Sequence, residues 1–210
     1  MTGLVRKATL LSVCGLIAAG AAFANVPDPA QSIVPAGVRL VGSNAGVADA
    51  AGTFSVTVKD IGGNLIANSS VVVDFSAMSD IRLCSTSLDG STVDCALKTV
   101  RAFTNGSGVA TFRVLGGSTG AFTSFGAPLV EVFADGVLLA TIRGAAFDLN
   151  NAGGVGAADL AIWLGDAGSG SSPHRADYDA NGTVGAADLS QWLATAGAGG
   201  SATSCGTPCP

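Results

Sequence analysis

Apolar and polar side chains alternate through the middle of this chain with the two-residue period of a strand. Phe54, Val56 and Val58 alternate with Ser55, Thr57 and Lys59, giving that segment one apolar and one polar face. Val71, Val73 and Phe75 repeat the pattern, as do Ala110, Phe112 and Val114. Two more apolar runs, Leu129–Ala134 and Val137–Ile142, flank Asp135-Gly136, a dipeptide suited to a two-residue hairpin. Gly62-Gly63-Asn64 and Asn105-Gly106 mark further turns. Short strands at close intervals, with no helical period, predict a β-sandwich over residues 25–146, large enough to hold one core.

After residue 146 the pattern changes to a duplicated loop followed by a helical period. Asp148-Leu-Asn-Asn-Ala-Gly-Gly-Val-Gly-Ala-Ala-Asp159 runs on into Leu160-Ala-Ile-Trp163-Leu164, and Asp177-Tyr-Asp-Ala-Asn-Gly-Thr-Val-Gly-Ala-Ala-Asp188 into Leu189-Ser-Gln-Trp192-Leu193. Each copy carries oxygen side chains at loop positions one, three and twelve, with glycine at the sixth (Gly153, Gly182) and valine at the eighth. Carboxylate and amide oxygens so spaced converge on one hard cation, and the glycine permits the sharp turn between them. Leu160 with Trp163, and Leu189 with Trp192, have the spacing of one helical face. Packing between the paired helices is one reading of the tryptophans; an exposed aromatic for sugar or protein contact is the other.

No helical pattern precedes either loop, and each closes on Asp rather than Glu. Residues 147–197 therefore resemble the dockerin type I module of secreted bacterial proteins. The resemblance implies two calcium ions and docking onto a cohesin-type protein partner, often in the service of polysaccharide degradation. It implies ligands at Asp148, Asn150 and Asp159 in the first loop, and at Asp177, Asp179, Asn181 and Asp188 in the second. The main-chain carbonyls of Gly154 and Thr183 would complete each set. Ala152 supplies no side-chain oxygen, so the second site is expected to be the tighter. The docking face would be carried by Ala157, Ala158, Ala186 and Ala187.

The sandwich segment resembles bacterial immunoglobulin-like repeats of the invasin and intimin type. The likeness lies in Ser55-Val-Thr-Val-Lys-Asp-Ile-Gly-Gly-Asn-Leu-Ile66 leading into Val71-Val-Val-Asp-Phe75, and in Thr104-Asn-Gly-Ser-Gly-Val-Ala-Thr-Phe112. The expected fold is thus mainly β with a small α module: an immunoglobulin-like sandwich followed by a dockerin-like pair of loop-helix repeats.

Residues 1–24 read as a signal peptide. Arg6-Lys7 precede the apolar run Ala8–Ala19, followed by Ala22-Phe23-Ala24 as a cleavage signal. A lipoprotein reading at Cys14 is opposed by the bulky Val13. No later stretch is apolar for long enough to span a bilayer, so an exported or cell-surface protein is expected. Cys84, Cys95, Cys205 and Cys209 then remain, an even count that favours two disulfides. Local pairing, Cys84 with Cys95 and Cys205 with Cys209, is preferred among three connectivities. The wide separation of the two pairs argues against zinc. Residues 198–210 form a Gly/Ser/Cys tail.

Ten basic and fifteen acidic side chains leave a net charge of −5. Six of the acids fall between Asp148 and Asp188, where Arg175 is the one base. Nothing here offers the basic patch that nucleic acid requires. Catalysis also finds little footing. His174, the single histidine, lies in the linker between the loops, and Glu131, the single glutamate, reads as an outward strand residue with Asp74. The expectation is a secreted, non-catalytic, calcium-binding attachment protein. The alternatives are a structural or adhesive module in which calcium only stabilises the fold, and a carbohydrate-binding sandwich.

Overall fold

The computed structural model describes residues 25–41, 43–44, 47–48, 50–119, 129–152, 154–168, 174–197 and 207–210. The candidate signal peptide, Gly153 and Cys205 lie outside these. Twelve strands and two α-helices are present among the described residues: β1 (Gly37–Leu40), β2 (Ser43–Asn44), β3 (Val47–Ala48), β4 (Thr53–Thr57), β5 (Ser70–Asp74), β6 (Ile81–Leu83), β7 (Thr92–Asp94), β8 (Thr99–Phe103), β9 (Val109–Arg113), β10 (Gly116–Ser118), β11 (Val130–Ala134), β12 (Val137–Ala146), α1 (Ala157–Gly168) and α2 (Ala186–Gly197). The protein is mainly β with two helices, and its largest sheet has the order β1-β12-β11-β5-β8-β7.

Each alternating segment becomes a strand because one face has a core to fill. Val71, Val73 and Phe75 are fully buried on the β5 segment, and Val130 and Val132 on β11. The antiparallel β4–β9 pair brings Val56, Ala110 and Phe112 into the same cluster, and Phe54 stacks on Phe112 with ring centroids 5.2 Å apart. At Asp135-Gly136 both residues have positive φ, 47° and 82°. That is the turn whose twist matches a two-residue hairpin, and it sets Ala134 opposite Val137. Asp74 and Glu131 are direct cross-strand partners, both half-buried.

β12 is the element that places the duplicated loops. Its first part pairs antiparallel with β11, and its last four residues pair parallel with β1, from Gly37 opposite Arg143 to Leu40 opposite Ala146. The strand then runs straight into Phe147 and Asp148, so a strand, not a helix, leads into the first loop. A single 3-10 turn, His174–Ala176, leads into the second. A second buried cluster joins Val41, Leu115 and Ala145 of the β region to Phe147, Leu149, Trp163, Tyr178 and Trp192. Trp163 and Trp192 are each only 4% exposed, which overturns the surface-aromatic reading in favour of packing.

The disulfide pairing departs from the local one. Cys95 is bonded to Cys209, 114 positions away, with Cα atoms 5.1 Å apart. Cys84 is disulfide-bonded as well, but not to Cys95. The reason is tertiary: the tail returns alongside the end of β6 and bridges to it. The Ser85 amide donates to the Thr207 carbonyl at 2.9 Å and the Cys209 amide to that of Leu83 at 2.8 Å, with Cys84 opposite Pro208. Sequence proximity favours short loops, yet this return brings the last cysteine against Cys95. No described helix is long and apolar enough to cross a membrane.

Closing a loop of this length removes about 4–5 kcal/mol of chain entropy from the unfolded state in the simplest model. Non-reducing peptide mapping should therefore recover Cys95 linked to Cys209. The Cys95→Ala/Cys209→Ala double variant should lose stability of that order in urea. A Cys84–Cys95 peptide would contradict the tail's return.

Candidate metal centre

The two loops fold by one bonding scheme, which is the physical content of their repetition. In the first, Asp159 Oδ1 accepts the amides of Leu149 (2.8 Å) and Asn150 (3.1 Å), and Oδ2 accepts that of Gly156 (2.8 Å). In the second, Asp188 Oδ1 accepts the amides of Tyr178 (2.7 Å) and Asp179 (3.1 Å), and Oδ2 that of Gly185 (2.8 Å). Each closing aspartate thus sits in the first turn of its helix and folds the loop back over itself. A carboxylate offers about four acceptor sites, so three amides leave capacity for a cation. The fourth loop position takes positive φ in both copies, 54° at Asn151 and 60° at Ala180.

The opening aspartates behave alike too. Asp148 accepts the Ala152 amide at 3.3 Å, and Asp177 accepts the Asn181 amide at 3.1 Å and the Gly182 amide at 2.8 Å. Gly182 has φ of 94°, a conformation that glycine reaches without steric cost. Asp148, Asp159, Asp177 and Asp188 are all buried.

Oxygens of Asp177, Asp179 and Asp188 lie within 4.8 Å of one another. Two ligands at about 2.4 Å from one ion are at most about 4.8 Å apart, so these three residues fit a single hard cation. The fourth expected side chain, Asn181, donates to Asp179 Oδ2 at 2.8 Å and accepts from the Thr183 amide and hydroxyl. In the first loop Asp148, Asn150 and Asp159 occupy the equivalent places, with the Asn150 amide oxygen accepting from Ala152 at 2.8 Å. Gly154 is buried with φ of 84°, while Thr183 is exposed. Ala157, Ala158, Ala186 and Ala187 are all exposed at the starts of their helices, with Leu164 and Leu193 exposed nearly two turns beyond.

Sequence reasoning missed the residues that seat the second loop. Arg39 Nε donates to the Tyr178 carbonyl at 2.6 Å, and Arg143 Nη1 lies 3.7 Å from Asp177 Oδ2. Both come from strands outside the loop, Arg39 from β1 and Arg143 from β12, and no local pattern links them to it. Tyr178 stacks on Phe147 with centroids 4.4 Å apart and donates its hydroxyl to the Ala146 carbonyl at 3.0 Å. Here there was a signal: loop position two is apolar in both copies, Leu149 and Tyr178. Asp166 and Arg175 form a buried bidentate pair at 2.8 and 2.5 Å across the linker.

Burial raises the Asp177 carboxyl above its ordinary value, helped by the charges of Asp188 and Asp179 and opposed by the Gly182 amide and Arg143. Burial likewise lowers Arg39, against the pull of Asp179 and Asp188. No protein-family model, curated protein or solved structure matches the chain.

A raised carboxyl stabilises the metal-free fold while protonated, below the ordinary carboxylate range. That contribution is lost as pH rises through the raised value. A divalent cation needs the carboxylate and so has the opposite dependence. Any calcium affinity of the second loop should therefore fall on acidification from neutral pH toward the ordinary carboxylate range, and should begin to fall earlier than ordinary aspartates would dictate. Calorimetric titration across that window checks it, and a constant affinity would count against Asp177 as a ligand.

Proposed function

We propose that this is an exported, non-catalytic attachment protein. Its dockerin-like module binds two calcium ions and docks a preceding immunoglobulin-like sandwich onto a cohesin-type protein partner, in the context of polysaccharide degradation. The observation that carries this reading is the repeated bonding scheme. Two loops gather buried carboxylates in the same way, and each is followed by a helix with the same small residues exposed. The sandwich reading is supported by strand order. β12, β11 and β5 are neighbours in one sheet and β4 pairs with β9 in another, the grouping of strands C, F and G against B and E in immunoglobulin domains.

The second reading, in which calcium only stabilises the fold, is favoured by a specific observation. The loop module shares a buried cluster with the β region, and the tail beyond it is tied to Cys95. A module built into its neighbour gains stability from the metal whether or not it docks. Free calcium at about a hundred times the dissociation constant adds about 2.7 kcal/mol.

Titration should give two calcium events of unequal affinity, with Asp188→Asn removing one of them. Absence of binding up to millimolar calcium would end the metal reading. Docking is tested with purified cohesin-type domains, with and without chelator. Related helix faces should let either copy engage, so Ala158→Arg or Ala187→Arg alone leaves binding largely intact and the pair abolishes it. Because the face is apolar, binding should depend little on salt. Calcium-loaded protein that binds no such domain would leave the stabilising role standing alone.

A further inference from the structure

The second loop does not meet the solvent alone; it faces two guanidinium groups from the sheet. β1 and β12 run parallel at its edge, Gly37 opposite Arg143, and the loop presses against them closely. A Cβ built on Gly37 would lie 2.8 Å from that of Ala180. Arg143 Nη1 lies 3.7 Å from Asp177 Oδ2, with the Asp177 side chain fully buried and that of Arg143 22% exposed. The same guanidinium lies against the sixth loop position, where a Cβ on Gly182 would come within 2.9 Å of Nη2. Arg39, from β1, holds the Tyr178 carbonyl at 2.6 Å.

We propose that Arg143 is a built-in counter-cation of the second loop, opposing ion binding there and holding that site's affinity below what its three carboxylates alone would give. The inference rests on the calcium reading above and concerns what regulates that site. The argument is one of charge. Asp177, Asp179 and Asp188 present three negative charges within one cluster, and Arg143 and Arg39 set two positive charges against them. An arriving divalent cation meets a far weaker field than the loop sequence implies. A unit positive charge about one ligand shell from a divalent ion weakens binding by about tenfold even in a water-like medium, and by more where solvent is excluded. The arginine also relieves the mutual repulsion of the carboxylates before any ion arrives, so the loop is formed in advance. Part of the second loop's advantage over the first, its extra carboxylate, is thereby cancelled from outside the loop.

The test uses the full chain with calcium, and with terbium as a luminescent probe. Asp177→Asn identifies which event belongs to the second loop. Arg143→Gln should tighten that event by about tenfold, and Arg143→Lys, which keeps the charge, should stay within about twofold of the unsubstituted chain. In the unsubstituted chain, the NMR signal of the Arg143 guanidinium should shift as that event saturates, a readout that needs no variant to fold. If Arg143→Gln leaves the affinity unchanged or weakens it, or if the guanidinium signal stays still through saturation, the counter-cation is overturned while the calcium site stands. If neither the unsubstituted chain nor Arg143→Gln binds either ion, the calcium reading itself falls.

Discussion

Phe147 and Tyr178 stack with ring centroids 4.4 Å apart and planes 18° from parallel, and the placement of both loops follows from that contact. Phe147 is the residue before Asp148, and Tyr178 is the residue after Asp177. The ring pair therefore fixes the opening carboxylate of each loop to within one residue. Further bonds lock it: the Tyr178 hydroxyl donates to the Ala146 carbonyl at 3.0 Å, and Trp192 Nε1 to that of Phe147 at 3.3 Å. Because Val41, Leu115 and Ala145 belong to the same cluster, the loops are held by the sheet as well as by each other. Aromatic pairs add about 0.5–1.5 kcal/mol beyond their buried area. The larger effect here is positional, since it brings two distant carboxylates to the end of one strand.

That positioning is costly in charge. Four aspartates of the loops are almost inaccessible to solvent, and a buried carboxylate is unfavourable unless hydrogen bonds or opposite charges compensate it. Main-chain amides meet most of the demand, three to each closing aspartate. Arg143 and Arg39 meet part of the rest at the second loop. The linker solves its own problem with the Asp166–Arg175 pair, which ends two residues before Asp177 and so fixes where the second loop starts. Removing one partner of such a pair costs about 3–5 kcal/mol, far more than an exposed ion pair would.

The strands and the loops were legible in the sequence because both are local. Alternation of Val71, Val73 and Phe75 needs only a core on one side, and Asp135-Gly136 needs only its own backbone to turn. The same holds for the loops, whose shared bonding runs between positions one, two, three, five, nine and twelve of a single segment. What the sequence hid depends on return paths. Nothing near Cys95 announces Cys209, because the tail must first return to the end of β6. Nothing near Arg39 announces Tyr178, 139 positions on. The tryptophans fall between: their spacing marked one helix face, but only the shared cluster decides that this face is buried.

Near-identical segments consequently occupy different surroundings. Leu149 and Tyr178 hold the same loop position, yet only the tyrosine reaches back to a carbonyl of β12. Trp192 Nε1 donates to Phe147, whereas Trp163 Nε1 is buried with no hydrogen-bond partner among the described residues. At the seventh place φ is positive at Gly154 of the first loop but not at Thr183 of the second. Since the short-range scheme is common to both copies, these differences come from what each copy touches. The first loop continues the strand that ends at Ala146; the second is pressed against the β1–β12 edge and its arginines. Duplication supplies two similar clusters of carboxylates, and the sheet beneath them makes their surroundings unequal. The electrostatics of the second loop are therefore set by Arg39 and Arg143 as well as by the loop aspartates.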